Sequence, residues 1–397
     1  MTPVRLALVA AAPAYYHAPL YRLLANDERV RFKAFFATQE GVRPHDPGFG
    51  IPSIVYDVDQ LSGFEHEFLA RADSNETRRG FWALRDFDVV SRLRRFRPDA
   101  VFVHGFSFLT IWLAMAAAAA LRAPVLLRED QTLLHGRPWP KRWGRAAVLR
   151  ALFSQVYGLY PSSNTYDYFR RYGLPPSRLF FVPYCVDNDL LQRRARDLEP
   201  ERARLRERFG IAGEGPVLLY VGKLTPKKQP ELLLDAFASV RDSAACALLY
   251  VGEGQLGEAL RRRVRVDGIA DVHFAGFLNQ SEIAEAYAAA DLFVLPSRVH
   301  ETFGFVVPEA MNFALPVVVS DKVGSARDLV RDGINGLVFP HADGGALARA
   351  LAVLVGDAGL RRRLGERSRD VVSRRDYRVA AEGVIAACRA AVGGARA

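Results

Sequence analysis

The chain has few cysteines, and they show no metal-ligand spacing. Its 397 residues include only Cys185, Cys246 and Cys388, which are far apart and odd in number. This excludes a disulfide framework and a cysteine zinc site, and it is typical of a reducing compartment. Long apolar runs are also absent: the uncharged run 106–121 is shorter than the ~20 residues of a membrane span. The apolar N-terminal stretch 4–14 is interrupted by Arg5 and predicts a first strand in preference to a signal peptide.

Two phosphate-binding fingerprints are missing as well. A dinucleotide fold carries a glycine-rich turn after its first strand, but this chain has Ala10–Ala14 there. No P-loop sequence occurs anywhere. These absences argue against a nicotinamide enzyme and against an NTPase.

The composition is that of a globular protein, with 50% hydrophobic and 25% charged residues. The net charge of +10 is compatible with nucleic acid, anionic lipid or a phosphorylated substrate as a partner. The basic residues fall into separate clusters, however, and most of these alternate with apolar residues at helical spacing. Most of these basic clusters are therefore expected to be solvent-exposed faces of helices.

The pattern predicts an α/β protein with two domains. Short continuous apolar runs alternate with helical patterns twice along the chain, which is typical of doubly wound parallel sheets. We expect two Rossmann-like domains that face each other across a cleft. The predicted parts are a first domain 1–190, a linker with a connecting helix 191–215, and a second domain 216–375. The C-terminal helix, about 376–397, is a candidate to pack back on the first domain.

The most informative stretch contains two carboxylates, Glu301 and Glu309, eight positions apart. Gly304 and Pro308 argue against one continuous helix through both, because Gly weakens a helix and Pro belongs in its first turn. The pattern predicts strand, loop and helix, with Glu301 on the loop and Pro308-Glu309 opening the helix. Backbone N–H groups of Phe303 and Gly304 would then face a crevice that suits an anion or a sugar hydroxyl.

A second group of residues follows the strand that ends at Val221. Gly222 permits a close backbone approach, and Lys223 and Lys228 flank a loop that leads into a helix. Two cations and a helix N-terminus can form a diphosphate site without a metal, although loop lysines are usually only solvated. Gly252 and the run 274–278 stand at the ends of the next two strands.

Taken together, these pieces resemble the nucleotide-sugar half of family-4 retaining glycosyltransferases with the GT-B fold. The likeness covers about residues 217–340. Two departures stand out: the family more often has Arg at the position of Lys223, and a Gly-Gly pair at Gly324-Ser325. The matching pieces are Gly222-Lys223 with Lys228, Val251–Gly254, Phe274–Phe277, Ala290-Asp291, Ser297, Glu301–Gly304, Pro308–Met311, Pro316–Val318 and Asp332–Leu337.

The resemblance implies a nucleoside-diphosphate sugar as donor, with UDP, GDP or ADP as the nucleotide and no metal or other cofactor. Lys223 and Lys228 would hold the diphosphate and stabilise the leaving group. Glu301 would accept hydrogen bonds from sugar hydroxyls, and Glu309 would bind the ribose, unless it is only a charge favoured by the helix dipole. Other residues implied on the donor side are Gly222, Gly252, Phe274, Phe277, Leu278, Thr302, Phe303, Gly304 and Phe305.

The resemblance also implies retention of the anomeric configuration. The departing phosphate would help to deprotonate the acceptor hydroxyl in a front-face displacement. Glu301 would then position the donor and would not act as nucleophile.

The first half offers a weaker set of candidates for the acceptor side. These are Tyr16 and His17 after the first strand, His104 at the end of a later strand, and His135. Glu129 and Asp130 stand where family members often have a histidine near the reacting centre. His104, Glu129 and Asp130 are therefore candidates for catalysis, with capping or ion-paired roles as the alternative.

The function expected from the resemblance is sugar transfer in polysaccharide, glycolipid or other glycoconjugate synthesis. Acceptors would be sugars, lipid-linked molecules or small molecules, with no nucleic acid as partner. The run Trp139–Trp143 fits either contact with an anionic membrane or an aromatic pair in a core. A cytoplasmic protein, including one at the inner face of the membrane, is expected. The alternatives are a nucleotide-sugar 2-epimerase of the same fold and a non-catalytic binder of anionic membranes or nucleic acid.

Overall fold

The computed structural model describes residues 2–44, 53–74, 80–134, 140–299 and 301–396. The chain divides into two compact units. Unit 1 contains Met1–His45, Val58–Tyr184 and Tyr377–Ala397, and unit 2 contains Asp46–Asp57 and Cys185–Asp376.

Unit 1 is built on a seven-stranded parallel sheet with the strand order 3-2-1-4-5-6-7. Its inner strands are continuous apolar runs, as expected where helices cover both faces. In the register of β4 and β5, His104 stands opposite Arg128, so both side chains leave the sheet at its carboxyl edge. The strands are β1 (Val4–Ala10), β2 (Val30–Phe36), β3 (Glu65–Phe68), β4 (Ala100–His104), β5 (Val125–Arg128), β6 (Val156–Tyr160) and β7 (Leu179–Phe181).

The edge strand of unit 1 differs from the prediction. The sequence predicts a short strand near Ile54–Tyr56, where the structure has a bridge residue at Ile54. The strand that pairs with β2 is β3, which the sequence did not predict. Its alternating charges hide it from a search for apolar runs. Lys33 Nζ lies 2.6 Å from a carboxylate oxygen of Glu65 and of Glu67, so cross-strand ion pairs help to stabilise this edge.

In the described residues of unit 1, five α-helices lie between the strands. The third is apolar almost throughout, and six of its residues are buried. The fifth begins at the N-cap Ser162, whose Oγ accepts a hydrogen bond from Thr165 N at 3.3 Å. The helices are α1 (Ala18–Ala25), α2 (Asp88–Phe96), α3 (Leu109–Ala120), α4 (Pro140–Phe153) and α5 (Ser163–Arg171).

Unit 2 has a six-stranded parallel sheet with the order 10-9-8-11-12-13. The first five of its strands follow the predicted apolar runs closely. The last strand pairs with β12 because Gly336 carries no side chain: a Cβ there would lie 2.4 Å from Val317 O. The strands are β8 (Val217–Val221), β9 (Ala247–Val251), β10 (Val272–Gly276), β11 (Leu292–Leu295), β12 (Val317–Ser320) and β13 (Gly336–Phe339).

Two helices of unit 2 overlap the segment 191–215 that was expected to link the domains. They are α6 (Asn188–Leu198) and α7 (Arg202–Arg208). Arg202 and Arg206 lie 2.6 and 2.5 Å from the two carboxylate oxygens of Asp291. These ion pairs fasten α7 to the residue that precedes β11.

The remaining helices of unit 2 alternate with its strands or follow the last one. The helix that carries Glu309 begins at Val306 and not at Pro308, so the predicted start is wrong by two residues. Pro308 is still tolerated, because its missing N–H falls in the first turn, where backbone N–H groups have no intrahelical partner. The helices are α8 (Pro230–Arg241), α9 (Gly257–Val266), α10 (Ile283–Ala289), α11 (Val306–Asn312), α12 (Ala326–Leu329), α13 (Gly344–Gly356) and α14 (Ala358–Val372).

The final helix, α15 (Tyr377–Arg396), returns to unit 1. Tyr377 Oη donates a hydrogen bond to Tyr16 O at 2.9 Å. Gly383 allows a close approach to β7, because a Cβ there would lie 2.0 Å from Phe181 O. Within the described part of the chain, neither this helix nor any other is long and apolar enough to cross a membrane.

Candidate functional site

The carboxyl edge of the unit 2 sheet gathers most of the residues that were predicted to hold a donor. In sheets of this kind, ligands bind beyond the carboxyl ends of the strands. The loops that follow β8, β9, β11 and β12 are joined there by short backbone contacts. Arg298 N, for example, donates to Lys227 O at 2.8 Å, which ties the loop after β11 to the loop after β8.

Glycines make this close approach feasible. Gly222 and Gly252 have φ values of 155° and 125°, in the region that side chains rarely adopt. A Cβ on Gly252 would lie 2.1 Å from Gly222 O, and one on Gly254 would lie 2.5 Å from Leu224 O. Gly252 was predicted to bind the donor; the structure shows that its lack of a side chain is first needed for packing the two loops together.

Lys228 and Glu301 form an ion pair at the centre of this edge. Lys228 Nζ contacts Glu301 Oε2, and the two side chains are only 14% and 11% exposed. Ser297 Oγ donates to the same carboxylate oxygen at 2.9 Å. Ser297 is itself held by Ser320, whose Oγ donates to Ser297 O. The structure thus brings together two residues that the sequence predicted for different parts of the donor.

Lys223 is positioned through its backbone. The phenol of the buried Tyr220 donates to Lys223 O at 2.9 Å. Burial, and secondarily the charge of Glu301, raises the pKa of Tyr220 well above its ordinary value, so it remains a donor. Tyr220 was not among the predicted residues, and its place in an apolar strand gave no signal.

The loop that carries Glu301 packs against the loop after β12. Gly324 N donates to Glu301 O at 3.0 Å, and Ser325 N donates to Phe303 O at 2.9 Å. A Cβ on Gly324 would lie 1.9 Å from Thr302 O, so only glycine fits there without displacing the loop. Ser325, which departs from the family pattern, is fully buried against this same loop.

Three buried polar atoms in this region have no hydrogen-bond partner among the described residues. They are Thr225 Oγ1, Gln229 Oε1 and Ser325 Oγ. Buried polar groups are usually paired, and unpaired ones on the loops that carry or contact a cation–carboxylate pair are typical of a site that a polar ligand completes. Sequence patterns did not single out Thr225 or Gln229.

Phe303, Gly304 and Phe305 connect Glu301 to α11. The Phe303 side chain is 2% exposed and belongs to the core, so only its backbone is available to a ligand. Its ring meets that of Phe305 edge-on at 5.5 Å. Gly304 has a φ of 84°, which turns the chain sharply into the helix.

Glu309 is buried in the first turn of α11. Tyr287 Oη donates to its Oε2 at 2.8 Å. Burial raises the pKa of Glu309 to about 7, although the hydrogen bond from Tyr287 opposes the rise. Ionising such a buried carboxyl group costs free energy unless hydrogen-bond donors stabilise its charged form.

The predicted base-side residues lie at the end of β10. The ring of Phe274 stacks on Tyr250 at 5.2 Å, and the guanidinium of Arg261 lies 4.5 Å from its centre. The Phe274 ring is therefore engaged by two neighbours of its own unit, which leaves the backbone of this run to meet a ligand. Leu278 is buried and Phe277 is partly buried.

In unit 1, the predicted residues Tyr16, His17 and His104 are neighbours. The ring centres of Tyr16 and His17 are 4.4 Å apart, and those of His17 and His104 are 4.7 Å apart. Burial, together with the charge of Arg128, lowers the pKa of both imidazoles well below the ordinary value. Both histidines are therefore neutral at neutral pH. His135 lies outside the described residues, as does Trp139.

Glu129 and Asp130 occupy different environments. Asp130 is exposed, whereas Glu129 is 4% exposed and accepts hydrogen bonds from Asp130 N and Gln131 N at 3.0 and 3.1 Å. Burial, and then the neighbouring Asp130, raises the pKa of Glu129 to about 8. Glu129 thus satisfies the backbone of its own loop. Among the described residues of both units, no group of three or more His, Cys, Asp or Glu side chains could hold a metal ion.

Comparison with known proteins agrees with this arrangement. The profile of "Glycosyl transferases group 1" matches residues 201–371, and that of "Glycosyltransferase Family 4" matches residues 57–190. The chain is 35% identical over 256 residues to the D-inositol 3-phosphate glycosyltransferase of Geodermatophilus obscurus, a match that covers 58% of this chain and 55% of that one. It therefore spans only about half the length of that relative.

A second relative is matched over more of its length. The chain is 30% identical over 286 residues to the GDP-mannose-dependent alpha-(1-6)-phosphatidylinositol monomannoside mannosyltransferase of Mycolicibacterium smegmatis, which covers 68% of this chain and 71% of that one. Among solved structures, Anabaena HepE in complex with UDP superposes with a TM-score of 0.71 at 17% identity, over 96% of this chain and 98% of that one. That likeness concerns the fold alone. The chain belongs to glycosyltransferase family 4 and has the GT-B fold.

Proposed function

We propose that the protein is a glycosyltransferase that moves a sugar from a nucleoside-diphosphate sugar to an acceptor hydroxyl. The Lys228–Glu301 pair carries the proposal, because it places a half-buried cation and a buried carboxylate together at the carboxyl edge of the unit 2 sheet. The name of the Mycolicibacterium relative specifies GDP-mannose as its donor. That name supports a nucleoside diphosphate as the class of donor here.

Lys228 and Lys223 are proposed to hold the diphosphate. Negative charge grows on the diphosphate as the sugar leaves, and fixed ammonium groups stabilise that charge in the transition state. The ion pair with Glu301 holds Lys228 in place beforehand, so little reorganisation is needed when the donor binds. Two lysines supply the charge that a metal ion provides in other transferases, and we propose transfer without a metal.

Glu301 is proposed to position the sugar. Its Oε2 is engaged by Lys228 and Ser297, whereas its Oε1 has no hydrogen-bond partner among the described residues. A carboxylate held in this way is a poor nucleophile but a good acceptor for a sugar hydroxyl. This supports a front-face reaction with retention: the bond from the anomeric carbon to the phosphate breaks, the bond to the acceptor oxygen forms, and the acceptor proton passes to the departing phosphate.

Glu309 is proposed to bind the ribose. Its carboxyl group lies in a buried position with one hydrogen bond from Tyr287, and two ribose hydroxyls would supply the donors that stabilise its ionised form. The backbone at the end of β10 is the proposed neighbour of the base. In unit 1, His104 and His17 are proposed to lie on the acceptor side.

Donor binding provides the direct test. We expect one of UDP-, GDP- or ADP-glucose or the corresponding mannose donors to raise the melting temperature in the presence of EDTA. Transfer to an acceptor should then give a product with the same anomeric configuration as the donor, read from its NMR coupling constant. Conversion of the donor sugar into its 2-epimer without any acceptor would identify an epimerase and overturn the proposal, as would the absence of binding by every donor.

Replacing Glu301 by glutamine tests its role. The variant keeps the shape of the side chain but loses the charge that faces Lys228. We expect a lower kcat for transfer, with retention unchanged in the residual product. Full activity in Glu301→Gln would contradict the positioning role, and trapping of a glycosylated Glu301 by mass spectrometry would contradict the front-face route.

A further inference from the structure

Unit 1 contains a buried cation that the donor proposal does not use. Arg128 ends β5 and is 4% exposed. Its Nη2 donates to Pro183 O at 3.4 Å, but its Nε and Nη1 have no hydrogen-bond partner among the described residues. Its guanidinium carbon lies 5.0 Å from the centre of the Tyr184 ring.

An unpaired buried guanidinium is costly. Burying a charge is strongly unfavourable unless it is paired and hydrogen-bonded, and Arg cannot shed its proton to avoid that cost. Across the described parts of the chain, no carboxylate lies within ion-pair distance of Arg128, since the adjacent Glu129 is turned toward the backbone of its own loop. A side chain in this state is typical of a site whose counter-charge arrives with a ligand.

The neighbours of Arg128 fit an anionic ligand. His104 stands opposite it in the sheet register, and His17 packs on His104. Each neutral imidazole can donate one hydrogen bond. Tyr184 and Tyr16 belong to the same cluster, because the Tyr184 ring lies against the Arg128 guanidinium and the Tyr16 ring packs on His17. A cation with neutral donors around it suits one anionic group better than a neutral hydroxyl.

We propose that Arg128 binds an oxyanion, a phosphate or carboxylate group, on the acceptor molecule. The assignment to the acceptor rests on the proposed function, because the residues that match donor-binding motifs are all in unit 2. Arg is the residue best suited to phosphate and carboxylate oxygens, since its planar guanidinium presents several N–H donors with fixed directions. His17, in the loop after β1, and His104, at the end of β4, complete the subsite.

The test uses matched probes and a readout inside the cluster. Glucose 6-phosphate, glucuronate and glucose are titrated while the imidazole signals of His17 and His104 are followed by NMR, with His17→Gln and His104→Gln to assign them. We expect a saturable shift with glucose 6-phosphate or glucuronate and none with glucose. Arg128→Met should weaken that binding about tenfold or more, and Arg128→Lys should weaken it less.

The control is Arg31→Met, which removes an exposed arginine from β2 of the same unit. It should leave the shifts unchanged. Vesicles of phosphatidylcholine, with and without phosphatidylinositol, test whether the oxyanion belongs to a lipid headgroup or to a soluble molecule. A saturable imidazole shift with either source supports the subsite. The proposal is overturned if no oxyanion shifts the two imidazoles, or if Arg128→Met binds as the wild type does.

Failure of this proposal is distinguishable from failure of the donor proposal. Arg128→Met should bind the nucleotide sugar as the wild type does, because the proposed donor site is in unit 2. If donors bind and no oxyanion acts through Arg128, only the acceptor subsite is wrong. If no donor binds at all, the proposed function fails, whatever the imidazole signals show.

Discussion

In the described parts of the chain, each unit places a cation with little solvent exposure at the carboxyl edge of its sheet, and the two cations have different partners. Lys228 in unit 2 contacts Glu301, so its charge is balanced within the chain. Arg128 in unit 1 has two nitrogens, Nε and Nη1, without hydrogen-bond partners and no carboxylate within ion-pair distance among the described residues. The comparison shows that the same topology can hold a cation in two ways. In unit 2 the cation is paired with a carboxylate of the chain, and in unit 1 it has no such partner, so a ligand would have to supply the negative charge.

The largest expected effect is the difference in kcat between a variant of Lys228 and a variant of its neighbour Lys227. Lys228→Met should lower kcat for sugar transfer by about 100- to 1000-fold, because it removes a fixed charge from the leaving group. Lys227 is exposed on the same 3₁₀ turn, so Lys227→Met is a matched control that should change kcat little. Steady-state kinetics of both variants with a saturating donor makes the comparison, and equal losses in the two would refute the special role of Lys228.

The two cations should also differ in what their removal does to stability. Lys228→Met leaves the Glu301 carboxylate buried without its cation and should lower the free energy of unfolding by about 3 kcal/mol. Arg128→Met removes a buried charge that had no ionic partner. It should therefore lower the free energy of unfolding by less than Lys228→Met does, and an increase would also agree with the comparison. Urea unfolding of the two variants, followed by fluorescence, measures the difference. The contrast between the units breaks down if Arg128→Met proves the more damaging change.

A third prediction concerns Glu309, whose ionisation should make the stability of the protein depend on pH. Its folded pKa of about 7 lies above the ordinary value of 4.5, so the folded protein binds the extra proton between these two pH values. Stability should therefore fall as pH rises from about 4.5 to 7. Relative to the wild type, Glu309→Gln should gain about 2 kcal/mol of unfolding free energy between pH 5 and pH 8.

Unfolding of the wild type and Glu309→Gln at pH 5, 6.5 and 8 tests this expectation. A stability difference that does not depend on pH would show that Glu309 is already ionised in the folded protein at pH 5.

Ser325 should give the smallest effect. Its buried Oγ has no partner among the described residues, so Ser325→Ala should raise the stability of the free protein by about 1 kcal/mol or less. If a donor completes the hydrogen bonding of this hydroxyl, the same variant should bind the donor more weakly. Melting temperatures with and without the donor distinguish the two effects. A variant that loses stability in the free state would indicate a partner that this structure lacks.

The sequence predicted unit 2 well because its signals are local. Apolar runs marked β8, β9 and β11, and glycines marked the points where the loops meet. The ion pair between Lys228 and Glu301 could not be read from the sequence, since it joins residues on different loops. Tyr220 and Tyr287 were missed because a tyrosine in an apolar run reads as core until the partner of its hydroxyl is known.

Unit 1 was harder to predict, for a related reason. Its cluster is assembled from the loop after β1, the ends of β4 and β5, and the segment after β7. The sequence drew attention to Glu129 and Asp130, whereas the structure puts Arg128 beside His104 and turns Glu129 toward its own backbone. An arginine at the end of a buried strand was the available signal. Strand β3 escaped because its charged residues follow no apolar pattern.

The return of α15 to unit 1 affects how the protein is made. The helix packs against α1 and β7, yet it leaves the ribosome only after every residue of unit 2. Unit 2 can therefore complete its fold during synthesis, while unit 1 must wait with one flank of its sheet uncovered. Its exposed apolar surface during that interval would be a natural substrate for chaperones.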